Sequence, residues 1–438
     1  MPISRYASHL ALACCAAWLL SGTTTDARRR LDCSLTETGV VPLSDLAGTY
    51  RGVEGGLYPG GSSVRPPGHE AVGLDLAENQ VRPLDAQGLP DATNGRIGLV
   101  SLGMSNTSME FGSFLDLVRA DPALNPRLTV VNGALSSQTA DRWRDPGSAA
   151  WQWMFDQLAR SNVTRNQVQV AWVKVVLAGF GSNTTDPLAN FPAFPQTLQA
   201  DLETISRNLK TNFPNIRIVY FSSRIRAYVT PRGLSPEPTA FETAFAVRWA
   251  IANQIGGSPD LGLNVAPWMS WGPYLWADGL VPRSDGLTYE CSDLESDFTH
   301  PSPTGGRKVA DQLKAFFMTD PTATPWYLKA ATDPPAIETV TASPPEGDPG
   351  VRVRFAAAAS DSDGIREYVW TFGDGTYAYG PSPEKTFNVA GRYPVHLAVV
   401  DTAGNASHHT VTVDVGSTSS TLPGAVRNLR LTRPPGAH

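Results

Sequence analysis

The spacing of apolar residues changes part-way along this chain. From Arg96 to about Thr319, short apolar runs alternate with stretches whose apolar residues recur every three or four positions. Ile97-Gly-Leu-Val-Ser101, Leu128-Thr-Val-Val131, Val168 to Leu177 and Ile216 to Phe221 predict four buried strands. Between and after them, four sets of residues predict helices: Phe111, Phe114, Leu115 and Val118; Trp151, Phe155 and Leu158; Leu198, Leu202, Ile205 and Leu209; and Phe241, Phe245, Trp249 and Ile255. Val309, Leu313, Phe316 and Phe317 predict a last, amphipathic one. Strands alternating with helices predict a parallel sheet covered on both faces, an α/β fold.

Beyond this region the period becomes two. Val351, Val353 and Phe355 alternate with arginines, and Val395, Leu397 and Val399 alternate again, as do Val411, Val413 and Val415. Tyr368-Val-Trp-Thr-Phe372 runs into the hairpin-type turn Gly373-Asp-Gly375. Short strands at this density predict a C-terminal β-sandwich. The chain of 438 residues therefore divides into a signal-like segment 1–27, a Gly- and Pro-rich arm 28–95, an α/β domain 96–318, a linker 319–335, a sandwich 336–415 and a Ser/Thr/Pro-rich tail 416–438.

Composition adds a few limits. A net charge of −6 gives no electrostatic case for nucleic acid or an anionic membrane. Leu10 to Leu20 is apolar but too short to span a bilayer, and small residues near Ala27 suit cleavage, so export is expected rather than lipid anchoring at Cys14 or Cys15. Export would leave Cys33 and Cys291. An oxidising compartment permits their disulfide, and two unpaired buried thiols are the alternative. No metal or other cofactor is expected.

The chemistry gathers around Glu295-Ser-Asp297-Phe-Thr-His300-Pro-Ser302-Pro303. An Asp three residues before a His, on a Pro-bounded turn, can accept the imidazole Nδ1–H and leave Nε2 as a base. Such a base needs a nucleophile. Ser105, in Gly103-Met-Ser105-Asn-Thr, stands at the carboxyl end of the first strand, where a parallel sheet binds ligands. Its N–H would open a helix and could hold an oxyanion. Gly133 ends the second strand and could bring a second N–H. Asn183, in a loop after the third strand, could offer a third donor, with Lys174 as its competitor. His69 is more simply a surface residue.

These motifs resemble the SGNH (GDSL-type) hydrolases across roughly residues 96–318: "LGMSNT", "VVNGA" and "SDFTHPSPTG" follow that family's order. Two departures stand out. Met104 replaces the Asp usual before the serine, and the Asn motif lacks its usual form. The resemblance implies a flavodoxin-like three-layer domain and a Ser105–His300–Asp297 esterase. Its oxyanion hole would be formed by Ser105, Gly133 and Asn183. "YVWTFGDGT" and "GRYPVHLAVVDTAGN" resemble the PKD (polycystic kidney disease-type) module, an Ig-like sandwich often attached to secreted polysaccharide-active enzymes. Together they point to short acyl esters, such as acetyl groups on a polysaccharide. Trp271 and Arg224 are the candidate substrate contacts. A glycan-binding protein without turnover and a lipase or lysophospholipase are the alternatives.

Overall fold

The computed structural model describes residues 33–178, 190–229 and 234–416. The signal-like segment and residues 417–438 of the tail lie outside the described residues. The α/β domain runs β1 (Ile97–Gly103), α1 (Ser105–Val118), β2 (Leu128–Asn132), α2 (Ala149–Arg160), β3 (Val168–Lys174), α3 (Ala193–Asn212), β4 (Ile218–Phe221), α4 (Thr239–Ile255), β5 (Trp268–Trp271) and α5 (Pro303–Thr319). The five strands are parallel and lie in the order β2-β1-β3-β4-β5. Such an order belongs to doubly wound open sheets, which place ligands beyond the carboxyl ends of their strands.

Side-chain alternation divides the core between the two faces of the sheet. Leu99, Val170, Trp172 and Tyr220 pack with Phe111, Phe114, Val309 and Leu313 of α1 and α5. Val100, Leu102, Val173 and Phe221 pack with Met154, Leu198, Leu202 and Phe245 of α2, α3 and α4. The fifth strand, Trp-Met-Ser-Trp, departs from the four expected. It is too short to show a period, and its aromatic residues disguise a strand buried on both faces.

The sandwich comprises β6 (Ala336–Ser343), β7 (Glu346–Gly347), β8 (Val351–Ser360), β9 (Ile365–Thr371), β10 (Tyr377–Tyr379), β11 (Glu384–Phe387), β12 (Gly391–Asp401) and β13 (Ala406–Val415). Its sheets are β11-β8-β6 and β10-β9-β12-β13-β7. The turn from β9 to β10 uses Gly373 and Gly375, both at positive φ, as the Gly-Asp-Gly sequence predicts.

The sandwich is not held at a distance. Val369, Ala398 and Val400 share one apolar cluster with Phe316, Phe317 and Tyr327. Around that contact, Lys314 reaches Glu367 at 2.8 Å, Arg366 reaches Asp121 at 2.9 Å and the Tyr379 hydroxyl donates to Asp311 O at 2.8 Å. Helix α5 is therefore covered on two sides and buries Lys314, Ala315, Phe316, Phe317 and Met318 in succession, beyond the single apolar stripe expected. The segment read as a linker is packed as well. Trp326 and Tyr327 are buried, and the Lys329 N–H donates to Ala123 O at 2.9 Å. Its Pro and Thr content hides these two aromatic anchors.

The arm wraps the α/β domain. Cys33 is disulfide-bonded to Cys291, with their Cα atoms 5.7 Å apart. Thr38 donates from its N–H and its hydroxyl to the Asp278 carboxylate, and the Leu43 N–H donates to the Tyr274 hydroxyl. His69 is half-buried rather than a surface residue. Its ring stacks on Trp268, its Nε2 lies 2.8 Å from Met269 O, and burial pushes its pKa down to about 4.

An apolar interface of this kind couples domains. Calorimetry is expected to show one unfolding transition for both, and reducing Cys33–Cys291 should lower stability by about 4–5 kcal/mol, the chain-entropy value for so long a loop. Two well-separated transitions would show that the interface is weak.

Candidate active site

Ser105 is the first residue of α1, directly after β1 and its neighbour Met104. The strand-to-helix turn is tight because Gly103 has no side chain: a Cβ there would lie 2.2 Å from Lys174 O and 2.4 Å from Thr107 Oγ1. Ser105 Oγ lies 2.6 Å from His300 Nε2, and His300 Nδ1 is hydrogen-bonded to Asp297 Oδ2. With Nδ1–H given to the carboxylate, Nε2 is left to accept from the serine hydroxyl. Asp297 also accepts the N–H groups of Thr299 at 3.1 Å and His300 at 3.0 Å through Oδ1. Burial pushes the Asp297 carboxyl up, but the hydrogen bonds from the His300 N–H, its ring and the Thr299 N–H outweigh it and hold the group below the usual range.

The loop carrying this pair is fastened to the helix that Ser105 opens. Asn106, buried beside Ser105, donates from Nδ2 to Thr299 O at 2.6 Å. After the loop, Ser302 caps α5, and its N–H donates to Asp293 O at 2.8 Å. Asn106 was not singled out in the sequence. Its clue was a polar residue directly after the serine.

The Ser105 N–H has no acceptor among the described residues, and the Gly133 N–H follows the Ser101–Asn132 pair at the end of the β1–β2 ladder. At Gly133 a Cβ would lie 2.2 Å from Met154 Sδ, which could swing away, and 2.8 Å from the backbone Ser101 O, which could not, so a side chain would strain the β1–β2 contact. Asn183 lies outside the described residues. Lys174 is not a free donor: its Nζ donates to both carboxylate oxygens of Glu110, at 2.7 and 2.8 Å, and both side chains are fully buried. Burial pushes the Lys174 pKa down to about 8. The Glu110 charge opposes that shift and Arg224 adds to it. A lone charge inside each of two apolar stretches, "MEFG" and "VQVAWVKVV", was the available sign of this pair.

Arg224 follows β4 at the same carboxyl edge. It is 1% exposed, and its Nε and Nη2 have no hydrogen-bond partner among the described residues. Burial lowers its pKa, against the charges of Glu110, Glu237 and Asp297. Trp271 is placed elsewhere. It ends β5 at the edge of the sheet, three strands from β1, or about 14 Å at ordinary strand spacing. Its indole is 2% exposed, packs on Tyr274 and donates to Leu57 O at 2.7 Å. The arm thus covers the face expected to stack on substrate. In the sandwich, Asp361 and Asp363 form a turn, and Asp401 from β12 joins them, with one oxygen from each within 4.8 Å of the others.

Residues 332–415 match the family model of the PKD domain and form such a domain. Over 80 residues the chain is 38% identical to the pre-pro-metalloprotease PrtV of Vibrio cholerae. That stretch is 18% of this chain, and the chain spans 9% of the length of the curated relatives it matches. Among solved structures, the PKD1 domain of the same Vibrio cholerae metalloprotease is 31% identical, covering 19% of this chain and 96% of that one, with a TM-score of 0.16. The PKD1 domain of Vibrio anguillarum Epp is 28% identical, covering 19% and 93%, with a TM-score of 0.17.

The buried ion pair beneath the serine gives a sharp expectation. Removing one partner strands a buried charge, so Lys174→Met should cost about 3–5 kcal/mol. Adding Glu110→Leu should recover most of that loss, because no charge is then left unpaired. Chemical denaturation of the two single variants and the double variant measures this. Additive losses would show that the two charges do not interact.

Proposed function

We propose that the α/β domain is a serine esterase of the SGNH type. The observation that carries this reading is the unbroken series Ser105–His300–Asp297, with a 2.6 Å contact from nucleophile to base. The strand order β2-β1-β3-β4-β5 agrees with the flavodoxin-like domain that the resemblance implies.

In this reading His300 Nε2 takes the Ser105 hydroxyl proton as Oγ attacks the ester carbonyl. Asp297 holds the imidazole in the required tautomer and balances its charge. The N–H groups of Ser105 and Gly133, with Asn183 as the third donor, hold the negative oxygen of the tetrahedral adduct. His300 returns the proton to the departing alcohol. Water, deprotonated by the same imidazole, then releases the acid and restores Ser105. Arg224 adds unused donors for acceptor atoms of the substrate.

The substrate class is short acyl esters, acetyl above all, carried on polysaccharides. Export is part of the same proposal. The Cys33–Cys291 disulfide supports it, since disulfides persist in oxidising compartments. No helix among the described residues is long and apolar enough to cross a membrane.

The test is hydrolysis of an aryl acetate by the full chain beside Ser105→Ala. The variant is expected to lose about 10⁴-fold or more in kcat. Equal rates in the two proteins would end the esterase reading.

A further inference from the structure

A second cleft lies on the carboxyl side of β4, between that edge and the arm. It has a volume of about 410 Å³, within the range of small-ligand sites. Val40, Val229 and Pro238 give it apolar walls, and Glu37, Arg51, Arg226 and Glu237 are its charged lining residues. It adjoins the catalytic loop: the N–H of Tyr228, another lining residue, donates to Phe298 O at 3.3 Å, one residue from Asp297.

Of these, Arg226 and Glu237 have unused capacity. Arg226 is 2% exposed, and its Nε and Nη1 make no hydrogen bond among the described residues, although Nη2 donates to Leu35 O at 3.0 Å. Such unpaired buried donors are costly unless something accepts from them. Glu237 accepts from the Ala227 N–H and the Trp276 indole at Oε1, and from the Phe241 N–H at Oε2, where lone-pair capacity remains.

The charge of Arg226 is already balanced. Glu237 lies 3.6 Å and Asp278 3.8 Å from its Nη1. The cleft lining itself sets two carboxylates, Glu37 and Glu237, against two guanidiniums, Arg51 and Arg226, so its formal charges already cancel. A neutral hydroxyl leaves that balance intact, since it accepts from a guanidinium and donates to a carboxylate at once. Apolar walls beside such a pair suit a ring that carries hydroxyls at its rim and C–H groups on its faces.

We propose that this cleft binds a neutral, hydroxyl-bearing sugar ring and is the subsite that holds the sugar of an acylated glycan beside Ser105. As a subsite it rests on the esterase reading, but binding can be measured without turnover.

Saturation-transfer NMR on full-length Ser105→Ala is the experiment, with methyl β-xylopyranoside, methyl β-glucopyranoside and sodium glucuronate as probes. Saturable binding of a neutral glycoside is expected. It should weaken about tenfold in Arg226→Gln, the scale of hydrogen bonds to a charged group. Val40→Trp, at a half-buried position of the arm, narrows the cleft and should abolish binding even if Arg226→Gln fails to fold. Binding unchanged in Val40→Trp, no binding of either neutral glycoside, or tighter binding of glucuronate would each overturn the assignment. In the active protein, Val40→Trp should raise KM for an acetylated xyloside. A wild type that binds the glycoside but hydrolyses no aryl acetate would remove the esterase reading while leaving the sugar site in place.

Discussion

The contact between Ser105 Oγ and His300 Nε2 joins residues 195 apart in sequence, and the rest of the site depends on it. A parallel sheet makes such a contact possible because all its strands end on one edge. It does not by itself set the distance. The turn into α1 is closed by Gly103, where no side chain fits against Lys174 O. The loop carrying Asp297 and His300 is pinned back to α1 through Asn106 and Thr299. On its outer side, the disulfide ties the arm to Cys291, at the start of the same loop region. Ser105 and His300 are thus fixed by a strand end, a helix start and a cross-link.

Charge beneath the site is handled in two ways. Lys174 and Glu110 pair fully, so neither is left as an isolated buried ion. Arg224 and Arg226 keep donors without a partner among the described residues at the carboxyl edge of β4. Fully satisfied pairs stiffen a core, whereas unsatisfied donors favour whatever ligand can satisfy them. The PKD domain adds rigidity from the other side. By covering α5, it completes the apolar cluster into which α1 also packs, so the helix that starts at Ser105 rests on a core built by both domains.

Much of this was legible in the sequence, and the exceptions share a cause. The four expected strands, the α/β alternation and the period-two sandwich follow from side-chain periodicity, which burial on one face or two imposes directly. Ser105, Asp297 and His300 could be singled out because their chemistry needs particular residue types at strand ends and turns. Trp271 was misplaced because an aromatic residue suits a sugar face or a core equally, and only the arm's path decides between them. The segment after Thr319 looked like a linker because Trp326 and Tyr327 show no period, and their burial depends on a partner domain. The cleft beside Arg226 was hidden for the same reason, since the arm and the β4 edge that form it are far apart in sequence.

The central claim is that Ser105 is an activated nucleophile, and covalent capture addresses it without choosing a substrate. A fluorophosphonate probe reacts with a serine whose proton is taken by a neighbouring base. Intact-mass analysis of the full chain should show one adduct, mapped to the peptide containing Ser105 and strongly reduced in His300→Ala. An unlabelled protein, or an adduct on a different serine, would contradict the account.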